Sequence, residues 1–239
     1  MDATILTPRL KLTIFTTAKR GSQEFDWVHE LRSNEQSSWW SLYGPSKTPE
    51  DTEKALQNIL PTPQKGGEEK THRIGYLVHE IIQPPSSAPA ATTTTTQADP
   101  QTRFIGLITL RSLTPHETTF LPRLGHASTR TTLSLEIAYM FLPESWGRGY
   151  ATESIDAMLD ACTHAPRELW SPWEKVYVRA IVNDENGPSQ RVMEKCVMRD
   201  GRDDKGRKEV LEFEGGRFFI AGKWREKHRL FVFGREIVG

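Results

Sequence analysis

The sequence predicts a single domain of the α/β (α+β) class over residues 1–239. Segments with the period of strands and segments with the period of helices follow one another as strand, two helices, three strands, helix, strand, helix and two strands. Hydrophobic residues make up 36% of the chain and charged residues 26%, which suits a globular protein with a sizeable core. A loop with two glycines, in ESWGRGYATES, joins the fourth strand to the third helix.

The first strand and the first two helices are predicted in residues 8–60. Leucine and isoleucine alternate with polar residues in PRLKLTIF, which indicates a strand. The segment EFDWVHELR carries apolar residues at helical spacing. A second helix begins after Thr48, because threonine caps helices, Pro49 suits the first helical position and acidic residues follow.

The next two predicted strands, at residues 72–82 and 103–113, are expected to be partners in a hairpin. Residues 84–100 between them contain several prolines, five consecutive threonines and no large apolar side chain. Such a segment cannot bury enough surface to offset the entropy lost on ordering it. We therefore predict a low-complexity, disordered loop at residues 84–100.

The fourth predicted strand, residues 132–142, has two different faces. One face carries leucine, isoleucine and aromatic side chains, and the other carries Glu136 among small or polar residues. An amphipathic helix follows the glycine loop, and a fifth strand is predicted at residues 175–182. A short helix is predicted in NGPSQRVMEKC, and two more strands in KEVLEF and RLFVFGREIV.

The charge balance argues against nucleic acid as a partner. Lysine plus arginine and aspartate plus glutamate both total 31, so the formal net charge is zero. Proteins that grip a nucleic-acid backbone usually carry a basic surplus. An anionic ligand must therefore be met by local donors rather than by the field of the whole protein.

Cysteine usage and the N-terminal segment favour a cytoplasmic protein. Cys162 and Cys196 form no CxxC pair and accompany no histidine cluster, so we expect two buried thiols and no metal site. MDATILTPRL lacks the basic and apolar regions of a signal peptide. The longest apolar run, residues 137–142, is far too short to span a bilayer, and no membrane partner is expected.

The glycine loop has the features of an anion-binding turn. Gly147 and Gly149 allow close approach to the backbone, and the first N–H groups of the following helix have no intrahelical partner. A P-loop is excluded because Tyr150 follows Gly149, and a dinucleotide fingerprint because Thr152 stands where glycine or alanine is needed. A tight strand-to-helix turn without a ligand remains the alternative.

Three segments resemble the RimJ/RimL-like branch of the GNAT-superfamily N-acetyltransferases. They are TPRLKLTIF, LEIAYMFLPESWGRGYATES and NDENGPSQRVMEKC, in the order and spacing of that family. Trp146 departs from the general Gln/Arg-x-x-Gly-x-Gly/Ala motif but is similar to the RimJ/RimL variant. The resemblance implies a mixed, mostly antiparallel sheet of six to seven strands, flanked by about four helices and splayed between the fourth and fifth predicted strands.

The resemblance also implies acetyl-CoA as co-substrate, without a metal. The end of the fourth strand would pair with the pantetheine arm, the loop would hold the pyrophosphate, and an asparagine after the fifth strand would meet the arm. The implied acetyl-CoA-binding residues are Met140, Phe141, Leu142, Trp146, Gly147, Arg148, Gly149, Tyr150, Ala151, Thr152, Asn186 and Ser189. For Asn186, the alternative is a plain turn residue.

Two residues are candidates for the chemistry. Many family members have a proton-donating tyrosine on the last helix, but SQRVMEKC has none, so Ser189 is the candidate donor or else only a helix cap. Glu136 is the candidate base, directly or through water, or else a solvated strand residue. Trp39, Trp40 and Tyr43 either line the acceptor site or belong to the core.

These features predict an acetyl-CoA-dependent N-acetyltransferase. A primary amine, on a protein N-terminus or a small molecule, would attack the thioester directly. The alternative is a non-catalytic acyl-CoA-binding or scaffolding protein on the same fold. The expected partners are acetyl-CoA and an amine acceptor, and the protein is expected to be a monomer or a homodimer.

Overall fold

The computed structural model describes residues 1–62, 70–82, 101–113, 131–196, 199–200 and 210–239. The strands are β1 Thr4–Leu6, β2 Leu10–Ile14, β3 Arg73–Ile81, β4 Thr102–Ser112, β5 Thr132–Phe141, β6 Lys175–Asn183, β7 Arg199–Asp200, β8 Val210–Ile220 and β9 Lys223–Val238. The helices are α1 Gln23–Ser33, α2 Pro49–Ile59, α3 Tyr150–Thr163, α4 Arg167–Trp170 and α5 Gly187–Lys195.

The described strands form one mixed sheet in the order β1-β2-β3-β4-β5-β6-β9-β7, with β8 also pairing with β9. β5 and β6 are parallel, and the other described pairs are antiparallel. The predicted class and the mixed, mostly antiparallel sheet are confirmed. The described part of the chain has nine strands rather than six to seven, because β1 and β7 are too short to show an alternating pattern.

Helices cover both faces of the sheet. α3 and α5 pack on one face around a core that includes Leu135, Met158 and Met193. α1 and α2 pack on the other face around a smaller core that includes Leu31 and Leu56. Cys162 and Cys196 are buried free thiols, as predicted. In the described ranges, no helix has both the length and the apolar character that crossing a bilayer requires.

Local sequence signals account for the helix starts. The Thr48 side chain accepts the backbone N–H of Asp51, and the Asp51 side chain accepts the backbone N–H of Thr48. This reciprocal pair satisfies two N–H groups that α2 cannot bond internally, and Pro49 needs no partner there. The predicted start of the second helix is confirmed.

The β3–β4 pairing confirms the predicted hairpin partners. The two strands are antiparallel from Arg73 opposite Arg111 to Ile81 opposite Thr102. The predicted low-complexity loop at residues 84–100 lies outside the described residues.

The last hairpin differs from the prediction in extent. β8 and β9 are joined by the two-residue turn Ala221–Gly222, with φ of 52° and 73°. Positive φ at both positions gives the turn a twist that matches the flanking strands. The sequence did not predict this turn because alanine is rare at a positive φ, so both strands extend further towards it than expected.

Candidate active site

The sheet is split between β5 and β6. Their parallel pairing runs from Thr132 opposite Lys175 to Glu136 opposite Arg179. Beyond that point, residues 137–141 pair with β4 and residues 180–183 pair with β9, but not with each other. The two strands therefore diverge and leave a V-shaped gap, as the predicted splay requires.

The backbone of β5 presents polar groups to this gap. The Leu142 N–H donates to the Ile105 carbonyl at the β4 edge, at 2.9 Å. The Phe141 carbonyl instead accepts from the Ser37 hydroxyl at 3.1 Å and from the Trp146 indole N–H at 2.9 Å. Because bonding direction alternates along an antiparallel strand, the backbone groups of Tyr139 share the direction of Phe141. An extended chain with amides could pair along this edge.

The glycine loop leaves β5 at the mouth of the gap. A single 3-10 turn, Pro143–Ser145, follows the strand, and the Ser145 hydroxyl donates to the Leu142 carbonyl at 2.6 Å. Gly147 and Gly149 have φ of 72° and 82°, which strains any other residue. Gly149 is the N-cap of α3 and provides no side-chain cap, so the first N–H groups of the helix are open to an anion.

Side chains of the loop are fixed by Glu80. The Arg148 guanidinium lies 3.1 Å from the Glu80 carboxylate, and the Tyr150 hydroxyl donates to the same carboxylate. Burial raises the pKa of Tyr150, while the hydrogen bond from Tyr150 lowers the pKa of Glu80. Tyr150 is buried, so its predicted contact with acetyl-CoA rests on its backbone.

Sequence reasoning missed the residue that ties this loop to β2. The Arg9 guanidinium donates to the Arg148 carbonyl at 3.0 Å and to the Glu153 carboxylate at 2.7 Å. Arg9 and Glu153 lie in two of the segments that carry the family resemblance, but Glu80 lies in neither. The three residues are far apart in the sequence, so no local pattern would have grouped them.

Glu136 lies at the vertex of the gap, in a row of three residues across β4, β5 and β6. Its carboxylate accepts from Arg111 at 2.9 Å and from two nitrogens of Arg179 at 3.1 and 2.9 Å. The Arg179 side chain is only 9% exposed. Glu136 is thus an ion-paired residue rather than a freely solvated one, and its role as a base remains a prediction.

The start of α5 carries the other two predicted side chains. The Asn186 side-chain oxygen accepts the Ser189 backbone N–H at 3.2 Å, so Asn186 rather than Ser189 caps the helix. The Ser189 hydroxyl lies 2.7 Å from the Tyr139 hydroxyl. Burial raises the pKa of Tyr139 to about 12. Sequence reasoning placed Tyr139 only on the apolar face of its strand and missed this contact.

The loop between α1 and α2 spans the mouth of the gap. Ser37 reaches the Phe141 carbonyl, and the Trp39 carbonyl accepts the Ala221 N–H of the β8–β9 turn at 2.9 Å. Trp39 is 49% exposed and Tyr43 is 86% exposed, so these two aromatic residues do not belong to the core. Trp40 is half-buried beside them.

The split sheet and the glycine loop at its mouth define the acetyltransferase fold of the GNAT superfamily. The family model described as "Acetyltransferase (GNAT) domain" matches residues 18–199. The chain therefore belongs to this family, and the predicted family is confirmed. No curated protein matched the chain.

Solved structures of similar fold span nearly the whole chain. A GNAT-family acetyltransferase from Bacillus anthracis is 19% identical, with a TM-score of 0.54 and coverage of 98% of both chains. RimL, a ribosomal L7/L12 alpha-N-protein acetyltransferase solved with coenzyme A, is 14% identical, with a TM-score of 0.55 and coverage of 97% of both chains. At these identities the likeness concerns the fold.

Proposed function

We propose that this protein transfers the acetyl group of acetyl-CoA to a primary amine, on a protein N-terminus or a small molecule, in the cytoplasm. The observation that carries the proposal is the open edge of β5, which leads directly into the loop at Gly147–Gly149. A pantetheine arm has amides that suit a strand edge, and a pyrophosphate suits the N–H groups at the start of α3. The residues present fit acetyl-CoA.

In this proposal, the predicted contacts divide between the two sides of the gap and the glycine loop. The arm would run beside Met140, Phe141 and Leu142, with the Asn186 amide on the opposite side of the gap. The pyrophosphate would lie against the backbone of residues 146–152, because the Arg148 and Tyr150 side chains are held by Glu80. The side of the gap near Trp39 and Tyr43 would admit the amine.

The chemistry requires a neutral amine and a donor to the departing sulfur. An α-amine has a pKa near 8, so about a tenth of it is already neutral at pH 7 and only modest help is needed. Glu136 would take the proton through water or directly, although its two oxygens already accept three hydrogen bonds from two arginines. Ser189 would donate to the sulfur.

A non-catalytic acyl-CoA-binding protein is the second candidate. The ion pairs of Glu136 favour it, because both carboxylate oxygens already contact arginines instead of being free to meet an amine. Both candidates bind acetyl-CoA, and only the first releases the CoA thiol when an amine is added.

The test has two stages. Acetyl-CoA should raise the melting temperature, whereas ATP at the same concentration should not, because it lacks the pantetheine arm. Thiol release is then followed with a panel of amines: peptides with free N-termini, the same peptides acetylated at the N-terminus, spermidine and lysine. We expect release that depends on a free α-amine or on one of the small amines.

The panel also separates the candidates. Stabilisation by acetyl-CoA without thiol release across the panel would favour the non-catalytic protein. Absence of stabilisation would contradict both.

A further inference from the structure

Tyr139 and Ser189 meet across the gap. Tyr139 is on β5, three residues beyond the last pairing with β6, and Ser189 is in the first turn of α5, which follows β6. Their hydroxyl oxygens are 2.7 Å apart, so the two arms of the split are joined by this hydrogen bond where the strands no longer pair. The contact lies on the side of the sheet that carries α3 and α5.

The surroundings of Tyr139 restrict its hydroxyl. Its ring packs against the core on the α3 side and lies edge-on to Phe141, with 6.3 Å between the ring centroids. Burial raises the pKa of Tyr139 to about 12, so its hydroxyl keeps its proton near neutral pH. A phenol held in this way is a hydrogen-bond donor rather than an acid.

Either hydroxyl can donate in this pair, and the proton count shows what donation by Tyr139 would allow. A serine hydroxyl carries one proton and two acceptor lone pairs. When the proton of Ser189 is directed at another group, its oxygen can still accept the Tyr139 proton. Asn186 meanwhile accepts the Ser189 backbone N–H and fixes the first turn of α5.

We propose that Tyr139 is a positioning residue, which donates to the Ser189 oxygen and so directs the Ser189 proton at the sulfur of acetyl-CoA. This inference rests on the proposed function. The last helix has no tyrosine, and in this proposal a tyrosine on β5 assists the proton donor instead.

The step balances as follows. The amine lone pair forms the new C–N bond, the C–S bond breaks, and its electron pair remains on sulfur. Sulfur takes the Ser189 proton. The proton lost by nitrogen passes to Glu136, directly or through water, and returns through water to the Ser189 oxygen. Tyr139 keeps its own proton throughout.

Tyr139→Phe tests this role because it keeps the ring and removes only the hydroxyl. With an amine that the wild type accepts, we expect kcat to fall about fivefold to tenfold, the worth of one hydrogen bond, with the KM for acetyl-CoA within about twofold. Ser189→Ala should lower kcat at least as much, and the double variant should equal Ser189→Ala alone. Tyr76→Phe is the matched control, because it removes a buried hydroxyl that donates to the Asp2 carbonyl. The kcat of this variant should equal that of the wild type.

A second readout needs no amine. Ultraviolet titration of the thiol of bound CoA should show a pKa higher in Tyr139→Phe and Ser189→Ala than in the wild type and in Tyr76→Phe. A purely structural role for Tyr139 would not change that thiol pKa, provided the variant is folded and binds CoA.

Two results would overturn the inference while leaving the proposed function intact. One is unchanged kcat and unchanged thiol pKa in Tyr139→Phe. The other is independent, multiplicative losses in the double variant, which would show that Tyr139 does not act through Ser189. A wild type that binds CoA but releases no thiol with any amine in the panel would instead contradict the proposed function.

Discussion

The two halves of β5 have the same pattern of residues and different surroundings. Residues 132–136 are all paired with β6, and Leu135 and Glu136 are paired with β4 as well, whereas residues 137–141 are paired with β4 alone. In the second half, Ser37 and Trp146 donate to the Phe141 carbonyl, and the Tyr139 side chain contacts the Ser189 side chain.

This difference separates stability from binding. A strand paired on both sides can use its backbone only for the fold, whereas a strand with one open edge has backbone groups to offer a ligand. Changes in the first half of β5 should therefore alter stability, and changes around the second half should alter acetyl-CoA affinity or turnover.

The largest expected effect is on stability and comes from the half of β5 that pairs with β6. Leu135 is fully buried there, and Leu135→Ala leaves a cavity in the core, so we expect a loss of about 2–5 kcal/mol of unfolding free energy. Urea unfolding measures the loss, with Leu6→Ala as control because Leu6 is 65% exposed. The acetyl-CoA affinity of the folded variant should match that of the wild type. Weaker binding would contradict the separation of stability from binding.

Acid should also destabilise the fold near the half of β5 that pairs with β6. The backbone N–H of His72 donates to Ser112, which lies opposite Leu135, and its ring packs beside Trp170. Burial lowers the pKa of His72 from 6.5 to about 4, with a contribution from the Lys70 charge. The unfolded chain binds this proton more readily than the folded protein. The free energy of unfolding therefore keeps the whole contribution of His72 above about pH 6.5 and loses about 3 kcal/mol as the pH falls towards 4.

His72→Phe isolates this contribution. It keeps an aromatic ring and removes the titrating group, and His72 Nε2 has no hydrogen-bond partner among the described residues. Urea midpoints measured across this pH range should change less in the variant than in the wild type. An equal acid slope in both proteins would assign the loss to other groups.

Glu136, at the junction of the two halves, sharpens the comparison. If it acts as a base, Glu136→Gln should lower turnover at pH 7 about a hundredfold, with partial recovery as pH approaches the amine pKa and nearly unchanged acetyl-CoA affinity. Arg111→Gln is the control, because it removes an ion-pair partner and keeps the carboxylate. Steady-state rates over a pH series and melting temperatures separate this role from a structural one. If both variants melt at a lower temperature and turnover does not recover with pH, Glu136 only stabilises the vertex.

The smallest effect is expected at the Phe141 carbonyl. Trp146→Phe removes one of its two donors, and Ser37 retains the other. The open edge should be held less firmly, and acetyl-CoA should bind several-fold more weakly, about 1 kcal/mol. Fluorescence titration can compare Trp146→Phe with Trp224→Phe, which removes an exposed indole of β9. The Trp224→Phe variant should bind acetyl-CoA as the wild type does.

Features determined by adjacent residues could be predicted from the sequence. The start of α2 follows from Thr48, Pro49 and Asp51, and the loop from two glycines between a strand and a helix. The β3–β4 pairing follows from two apolar strands that flank a segment without large apolar residues. Each of these signals lies within a few residues of the element that it specifies.

Features that depend on distant partners could not be predicted from residues alone. The alternation of β5 is the same before and after Glu136, so only the family resemblance implied the split. The Arg111–Glu136–Arg179 row and the Tyr139–Ser189 contact depend on strand register, which single-strand patterns do not specify. The position of Ser189 suited a helix cap, but the Asn186 side chain is the one that accepts a backbone N–H, that of Ser189.

Calorimetric titration of acetyl-CoA tests the central claim, that the loop at the open edge of β5 holds this molecule. Gly149→Ala and Gly21→Ala form a matched pair, because both glycines have positive φ, of 82° and 86°, and an added Cβ meets no steric clash at either. Both variants should lose similar stability from backbone strain, of about 1 kcal/mol. We predict that Gly149→Ala raises the Kd about tenfold, or 1.4 kcal/mol, and that Gly21→Ala binds as the wild type does. Equal affinities in all three folded proteins would contradict the claim.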